Sequence, residues 1–148
     1  MLLLPFTIDQ SRMALPFDRV VRVEPMVAPL PLPRPIPNVV GGMVYHGNFV
    51  PLYGLRSKLG CNQKHTSADD CIVMTQAGGA MIGVIADEVS AVIEVSTDSI
   101  SDYTLERGEI VAGATIVGDN LVLITNLDRF LSDDEKLELD AIRREFAG

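Results

Sequence analysis

Reactive side chains are sparse in this chain, and the densest group of them lies between Cys61 and Cys71. This segment, CNQKHTSADDC, also contains His65, Asp69 and Asp70. Cysteine, histidine and aspartate are side chains that bind zinc. Their spacing does not match a compact zinc finger, and such a polar segment is typical of an exposed loop. We therefore predict a solvated loop here and no metal site.

The sequence motifs of common enzyme classes are missing as well. No serine lies in a Gly-x-Ser-x-Gly elbow, and no glycine-rich loop carries the Lys-Ser/Thr pair that holds a phosphate. Asp87 and Glu88 are adjacent, so on a strand their carboxylates face opposite sides and form a poor acid–base pair. Asp87 is expected instead to accept a hydrogen bond within its own turn. We predict a protein without catalytic residues, without enzymatic activity and without a cofactor.

Composition narrows the classes of protein further. The net charge of −8 and the pI of about 4.6 disfavour binding to nucleic acid or to an anionic membrane. The hydrophobic content of 47% excludes a disordered chain. No apolar run reaches the ~18 residues of a membrane span, and MLLLPF is a better first strand than a signal peptide. We expect a cytoplasmic protein with no membrane insertion, and with Cys61 and Cys71 as free thiols.

The elements that must position any site are mostly short strands. Apolar segments recur between turn residues, which gives roughly nine or ten strands and is typical of barrels or sandwiches. Tight turns are expected at Gly47-Asn48, at Ala77-Gly78-Gly79 and at Gly118-Asp119-Asn120. Five methionines are expected to fill the core: Met13, Met26, Met43, Met74 and Met81.

The segment APLPLPRPIPNVVGG has a proline at every second position from Pro29 to Pro37. Grooves that bind polyproline helices require prolines three residues apart, so this spacing does not suit a peptide ligand. Proline also excludes a helix or a central strand. We predict a stiff, extended connector that packs on a core, with a mobile loop as the alternative.

The last segment, SDDEKLELDAIRREFAG, predicts a helix over 132–146. Ser132 and Glu135 have the spacing of a capping box. Leu139, Ile142 and Phe146 share one face of such a helix. We expect this face to pack on the strands, and a helix that binds a partner is the alternative.

Taken in order, several segments resemble the CheW-like adaptor family of bacterial chemotaxis. GGMVYHGNFVPLYGLRSKLG resembles the family's G-V-x-N-L-R-G-x-V-V-P-V-x-D-L-R, and IGVIADEVSAV resembles V-G-x-x-V-D-x-V-S-E-V. IVAGATIVGDNLVLITNLDRFL resembles the closing hairpin of the family. The resemblance covers nearly the whole chain. It implies an all-β fold of two SH3-like five-stranded barrels, packed together with a C-terminal helix, as a single domain over residues 1–148.

The resemblance also implies a function. The family couples the cytoplasmic tip of a chemoreceptor to a CheA-like histidine kinase and needs no cofactor. The kinase's regulatory domain has the same double-barrel fold and joins the adaptor barrel to barrel, while the receptor docks in a groove between the barrels. Without a receiver or kinase domain, the chain resembles the stand-alone adaptor. The positions that correspond to partner contacts are Val20, Arg22, Gly41, His46, Gly47 and Cys71.

The chain departs from the family mainly at positions that make contacts. Val44 and His46 replace the asparagine and arginine of N-L-R-G, and Gly54 replaces an acidic residue. Arg22 and Ala91 stand where the family has glutamate. These departures suggest an altered receptor contact. They leave open a CheW-like scaffold of another array, such as one that controls pili or another motility system, and a small ligand-binding β-barrel.

Overall fold

A computed structural model of the chain describes residues 1–77, 79–101, 111–126, 128 and 133–147. These residues form eleven strands and two α-helices. The strands are β1 (Leu2–Ile8), β2 (Ser11–Pro16), β3 (Val20–Pro25), β4 (Val39–Tyr45), β5 (Asn48–Tyr53), β6 (Cys71–Ala77), β7 (Ala80–Ala86), β8 (Glu88–Val89), β9 (Ile93–Glu94), β10 (Val111–Val117) and β11 (Asn120–Thr125). The helices are α1 (Arg56–Leu59) and α2 (Asp133–Ala147).

The strands divide into two sheets, and each sheet forms one SH3-like barrel. The first barrel has the order β10-β11-β2-β1-β8, and the short strand β9 also pairs with β1. The second barrel has the order β3-β6-β7-β5-β4. The middle of the chain therefore builds the second barrel, and the two ends of the chain build the first. The predicted all-β fold of two barrels with a C-terminal helix is confirmed.

The two barrels share one plan of strand pairing. In each, two antiparallel hairpins are joined by a parallel pair of strands, β11 with β2 in the first barrel and β5 with β7 in the second. Ile124 lies opposite Ala14 in the first parallel pair, and Leu52 lies opposite Gly83 in the second. This register makes β10, β11, β2 and β1 equivalent to β4, β5, β7 and β6.

The hairpin turns follow from backbone conformations that few residues adopt. His46 and Gly47 both have positive φ, 50° and 80°, and Tyr45 pairs with Asn48. Two central residues with positive φ match the right-handed twist of the strands. The predicted turn at Gly47-Asn48 was therefore wrong by one residue, because His46 and Gly47 form the turn and Asn48 already pairs with Tyr45.

Three groups of apolar side chains hold the barrels together. The interior of the first barrel contains Leu3, Ala14, Val122 and Ile124, and that of the second contains Val50, Leu52, Ile72 and Met74. A third cluster lies between the barrels and α2 and joins residues of both, so we call it the central core. All five methionines lie in or against these clusters, as expected.

The proline segment packs on this core, as predicted. Ile36 is buried in the central core and Leu32 lies against it. Arg34 forms ion pairs with Glu138 and Glu145 of α2. The segment therefore fastens the C-terminal helix to the second barrel.

The segments that lead into β4 and β10 make the same kind of contact. Leu30 and Gly42 exchange two backbone hydrogen bonds of 2.8 and 2.9 Å, and Ser101 and Ala114 do the same at 2.8 and 2.9 Å. Each of these edge strands is thus covered at one point by the chain that precedes it. The covered stretch leaves fewer free backbone groups for another strand.

Helix α2 begins at Asp133, near the predicted boundary. Leu139 and Ile142 are fully buried in the central core, which confirms that one apolar face packs on the strands. The proposed cap at Ser132 and the side chain of Phe146 lie outside the described residues. Among the described residues, no helix is both long and apolar enough to cross a membrane.

Candidate functional site

All six predicted contact positions lie in the second barrel, but they do not form one cluster. Val20, Arg22 and Cys71 lie on β3 and β6, at one end of the strand order. Gly41 lies on β4, and His46 and Gly47 form the turn between β4 and β5 at the other end. The structure thus presents two candidate surfaces, which we call the β3 edge and the His46 turn.

The β3 edge carries apolar side chains that face solvent. Val21 and Val23 are 43% and 40% exposed. Among the described residues, β3 pairs only with β6, so its outer backbone groups have no strand partner. An open edge with exposed valines is a surface to which another β-protein can attach. The sequence search singled out Val20 and Arg22 but missed these two valines, because an alternating strand does not reveal which face remains uncovered.

Arg22 has a local partner that the sequence comparison did not suggest. Its Nε lies 2.5 Å from Oε1 of Glu24, and the arginine side chain is 58% exposed. The two residues are two apart on one strand, so their side chains share a face. The positive charge at Arg22 is therefore neutralised locally, which weakens the effect of the charge reversal at this position.

Val20 and Cys71 are half-buried and contribute mainly to packing. Val20 lies against the central core and pairs with Thr75 across a bulge in β3. Cys71 pairs with Pro25 at the far end of the same pair of strands. Val20 anchors β3 on the central core, and Cys71 pairs with β3 from the neighbouring strand β6.

Gly41 is buried, so it can affect a partner contact only by shaping the backbone around it. A Cβ atom at this position would lie 2.6 Å from the carbonyl oxygen of Leu30 and 2.7 Å from Cβ of Pro29. The glycine is required for the proline segment to approach β4. Its match to the family therefore reflects the fold.

The His46 turn projects from the end of the second barrel. The imidazole of His46 is exposed and stands edge-on to the ring of Tyr45, with the ring centroids 4.2 Å apart. Neutral histidine offers one hydrogen-bond donor, whereas arginine offers five and a fixed charge. The turn thus presents an aromatic pair where the family presents a cation.

A polar junction that the sequence search missed connects the two barrels. The Arg56 guanidinium donates to both carboxylate oxygens of Asp87 at 2.9 and 2.7 Å, and the backbone N–H of Asp9 donates to the same carboxylate at 2.7 Å. Asp9 belongs to the β1–β2 turn of the first barrel and Arg56 follows β5 of the second. The prediction of a local turn hydrogen bond at Asp87 was wrong, because its partner Asp9 is 78 residues away.

The electrostatics of Asp87 agree with this role. Partial burial alone would raise the pKa of the Asp87 carboxyl, but the hydrogen bond from Asp9 and the charge of Arg56 lower it below its usual value. Lys64 adds a further positive charge 3.9 Å away. The ionised carboxylate therefore helps to hold the barrels in one relative orientation.

A shallow groove of about 420 Å³ lies close to this junction. Its lining includes Val40, Gly54 and Gln63, which also border the hollow around Arg56 and Asp87. Val40 is exposed, and Gly54 is one of the positions at which the chain departs from the family. The groove has an apolar side and a polar side, as a surface for a helix requires.

The loop between Cys61 and Cys71 is held by an aspartate and not by a metal ligand set. Asp70 is buried and accepts hydrogen bonds from the backbone N–H of Ser67 at 2.8 Å and from Nζ of Lys64 at 3.1 Å. Within the described residues, no three histidine, cysteine, aspartate or glutamate side chains are close enough to hold a metal ion. The absence of metal remains a prediction.

Comparisons with known proteins agree with this architecture. A family model described as "CheW-like domain" matches residues 2–135. The crystal structure of the scaffolding protein TtCheW from Thermoanaerobacter tengcongensis superposes with a TM-score of 0.82 at 21% sequence identity, over 90% of this chain and 94% of that one. The match to the solved structure supports the fold, and the family model covers most of the chain. The protein therefore belongs to the CheW-like domain family.

Proposed function

We propose that this protein is a scaffold adaptor that couples the cytoplasmic tip of a chemoreceptor to a CheA-like histidine kinase. It acts in the cytoplasm, through protein–protein contacts and without catalysis or a cofactor. The observation that carries the proposal is the open β3 edge, where Val21 and Val23 are exposed on a strand with no partner on its outer side among the described residues. Members of the CheW-like family use such barrels to bind one another.

The kinase side of the adaptor is the β3 edge. The exposed valines offer an apolar centre, and Arg22 with Glu24 offers a polar rim. The kinase's regulatory domain has the same double-barrel fold, so strand edges of the two proteins can meet in similar geometry. A modest contact of this kind gives micromolar to nanomolar affinity.

The test is a calorimetric titration of the protein with the regulatory domain of a CheA-like kinase from the same organism. We expect Val23→Asp to weaken binding by about tenfold or more, equivalent to ~1.4 kcal/mol, because it places a carboxylate in the apolar centre of the contact. Leu137→Asp is the matched control, since Leu137 is an exposed apolar residue on α2, away from the β3 edge. It should leave the affinity unchanged.

Two outcomes would contradict this proposal. One is the absence of binding between the wild-type protein and every such kinase domain of that organism. The other is an equal loss of affinity in Val23→Asp and Leu137→Asp, which would indicate a general effect of added charge.

The receptor side of the adaptor includes the His46 turn and the groove near Arg56 and Asp87. We expect His46→Arg to strengthen binding to a typical chemoreceptor tip by up to about tenfold, or ~1.4 kcal/mol, because it restores a charged, forked donor. His46 has a left-handed backbone conformation, φ 50°, which histidine adopts more readily than arginine, so the unfolding stability of His46→Arg is measured beside its binding. Co-sedimentation with receptor arrays measures the effect.

Arg22→Glu lies on the β3 edge, which we assign to the kinase, and tests whether this position also influences receptor binding. It restores the sign of the family's charge but leaves Glu24 facing a like charge, so we expect a smaller gain than from His46→Arg. If wild-type protein co-sediments as well as His46→Arg, then position 46 is not a receptor contact in this protein.

A further inference from the structure

The mouth of the first barrel is an open recess of about 200 Å³. It lies between the β10–β11 hairpin, the β1–β2 hairpin and the chain around β9. Its floor is apolar, with Val117, Val122 and Ile93, and its rim is polar, with Arg12 and Asn120. The recess is separate from the β3 edge and the His46 turn, which belong to the second barrel.

The equivalent place in the second barrel is lined by larger side chains and opens into a cleft of about 500 Å³ that α2 borders. The shared strand register equates Val117 with Tyr45 and Thr115 with Met43. Tyr45 and Met43 both pack against the interior cluster of the second barrel. The recess of the first barrel is therefore smaller than its equivalent, and its lining includes no residue of α2.

The rim of the recess in the first barrel carries a positive charge, whereas the equivalent position in the second barrel is uncharged. The same register equates Arg12 with Met81, which also packs against the interior of the second barrel. Arg12 is exposed, and its guanidinium forms neither a hydrogen bond nor an ion pair with any described residue. By contrast, five other arginines form ion pairs: Arg19, Arg22, Arg34, Arg56 and Arg143.

An unpaired guanidinium beside an apolar recess is unusual in a chain whose net charge is −8. Of the seven arginines in the described part of the chain, five have an acidic partner there, and Arg12 and Arg144 have none. The recess is smaller than the ~300–1,000 Å³ of sites for cofactors and drug-sized ligands. Its size suits a single protruding side chain, and its charge suits a neighbouring carboxylate.

We propose that the mouth of the first barrel is a docking recess for a partner protein that inserts one leucine- or phenylalanine-sized side chain and places an adjacent carboxylate against Arg12. This inference rests on the proposed function as an adaptor and adds a contact on the barrel that carries none of the predicted contact positions. The protein thereby recognises an acidic, apolar segment with its first barrel while the β3 edge of the second remains available.

The first test uses short peptides of defined chemistry. Acetyl-Leu-Glu-amide is titrated into isotope-labelled protein, and backbone amide shifts are followed by NMR. We expect weak, saturable binding with shifts concentrated at Thr7, Val117 and Val122 around the recess. Acetyl-Leu-Gln-amide should bind about threefold to fivefold more weakly, because an exposed ion pair contributes little but measurably. Acetyl-Ala-Glu-amide should bind more weakly still, because it leaves the apolar floor uncovered.

Two variants introduce into the first barrel the residues that occupy the equivalent positions of the second. Arg12→Met should remove the preference for glutamate over glutamine, and Val117→Tyr should abolish binding of both leucine peptides by filling the recess. Arg144→Met is the matched control, because Arg144 is also exposed and unpaired among the described residues but lies on α2. Shifts that do not saturate, that scatter over the surface, or that persist in Val117→Tyr would overturn the proposal.

A titration with the kinase domain and the receptor tip separates this inference from the proposed function. If wild-type protein binds one of them and Val117→Tyr loses at least fivefold in affinity while Leu137→Tyr, at an exposed position of α2, does not, the recess is a contact in the adaptor. If both partners bind Val117→Tyr as well as wild type, the adaptor function stands and the recess proposal is wrong. If neither partner binds wild type, the adaptor function fails, whereas the peptide titration still decides the chemistry of the recess.

Discussion

The first and second barrels have the same strand pairing but differ in what covers them. In the second barrel, α2 lies over the outer face of β5, and Phe49 is only 5% exposed. At the equivalent position of the first barrel, Leu121 is 50% exposed, and its cross-strand neighbour Ile116 is 71% exposed. Backbone hydrogen bonding dictates the strand plan of both barrels, whereas the covering elements decide which apolar surface remains for a partner.

The edges of the two barrels differ in the same sense. The edge strand β3 of the second barrel is six residues long and pairs with β6 along its length, with one bulge near Val20. In the first barrel the corresponding edge is divided between β8 and β9, each two residues long and paired with a different part of β1. Short edge strands discourage association with other strands. The second barrel therefore has the better edge for pairing with a strand of another protein. In the first barrel, the recess at its mouth is the candidate contact instead.

The largest expected difference between the barrels comes from truncating two equivalent residues, Phe49 and Leu121, to alanine. We expect Phe49→Ala to lower the free energy of unfolding by about 4 kcal/mol, because it removes a buried ring from the central core. Leu121→Ala should cost about 0.5 kcal/mol, since its side chain is half exposed. Urea unfolding measures both. Similar losses would mean that the outer face of the first barrel is covered in solution.

A second test uses the equivalent glycines that follow the bulges, Gly41 in β4 and Gly113 in β10. A Cβ atom on Gly41 would lie 2.6 Å from a backbone oxygen, whereas one on Gly113 would lie 3.0 Å from Cγ2 of Ile100 and from the carbonyl oxygen of Ser101. We expect Gly41→Ala to cost about 3 kcal/mol and Gly113→Ala about 1 kcal/mol or less. Equal costs in thermal or urea unfolding would show that the proline segment yields as easily as the segment before β10.

The smallest effect concerns the junction that holds the two barrels together. We expect Asp87→Asn to cost about 1 kcal/mol at neutral pH, because it weakens the hydrogen bonds from Arg56 and Asp9. Asp140→Asn is the control, because Asp140 pairs with Arg143 at an exposed position on α2 and should contribute close to nothing.

The pH dependence of that difference follows from the lowered pKa of Asp87. The folded pKa of Asp87 lies below the usual aspartate value of about 3.9, so the ionised carboxylate stabilises the fold fully above that value. The contribution is lost as the pH falls through the folded pKa. The difference between wild type and Asp87→Asn should therefore be constant from about pH 7 to about pH 5 and shrink towards pH 3. A difference that grows on acidification would contradict the assignment.

Much of the fold could be predicted from the sequence because its signals are local. Apolar segments between turn residues predicted the strands, and the periodicity of Leu139 and Ile142 predicted the buried face of α2. The alternating prolines predicted a connector that packs on a core, and Ile36 confirms it. In each case the sequence pattern that allowed the prediction lies within a short segment of the chain.

The parts that escaped prediction depend on residues that are distant in sequence. The Arg56–Asp87–Asp9 junction requires two turns of different barrels to meet, and nothing local indicates this. The exposure of Val23 depends on the absence of a neighbour to β3 among the described strands. The partner-binding roles of Val20, Arg22, Gly41, His46, Gly47 and Cys71 remain predictions, since geometry alone does not identify a partner.

The path of the chain through the barrels has a consequence for how the protein folds. The second barrel is contiguous, from Val20 to Ala86, so a ribosome can deliver all of it before the first barrel is complete. The β1–β2 hairpin emerges first, but its sheet is completed only when β11 has been synthesised, because Ile124 of β11 pairs with Ala14 of β2. Closing so long a loop is slow, and it leaves the edge of β2 unpaired meanwhile. Hydrogen exchange pulsed during refolding should therefore protect β6 and β7 before β2, and simultaneous protection would argue against this order.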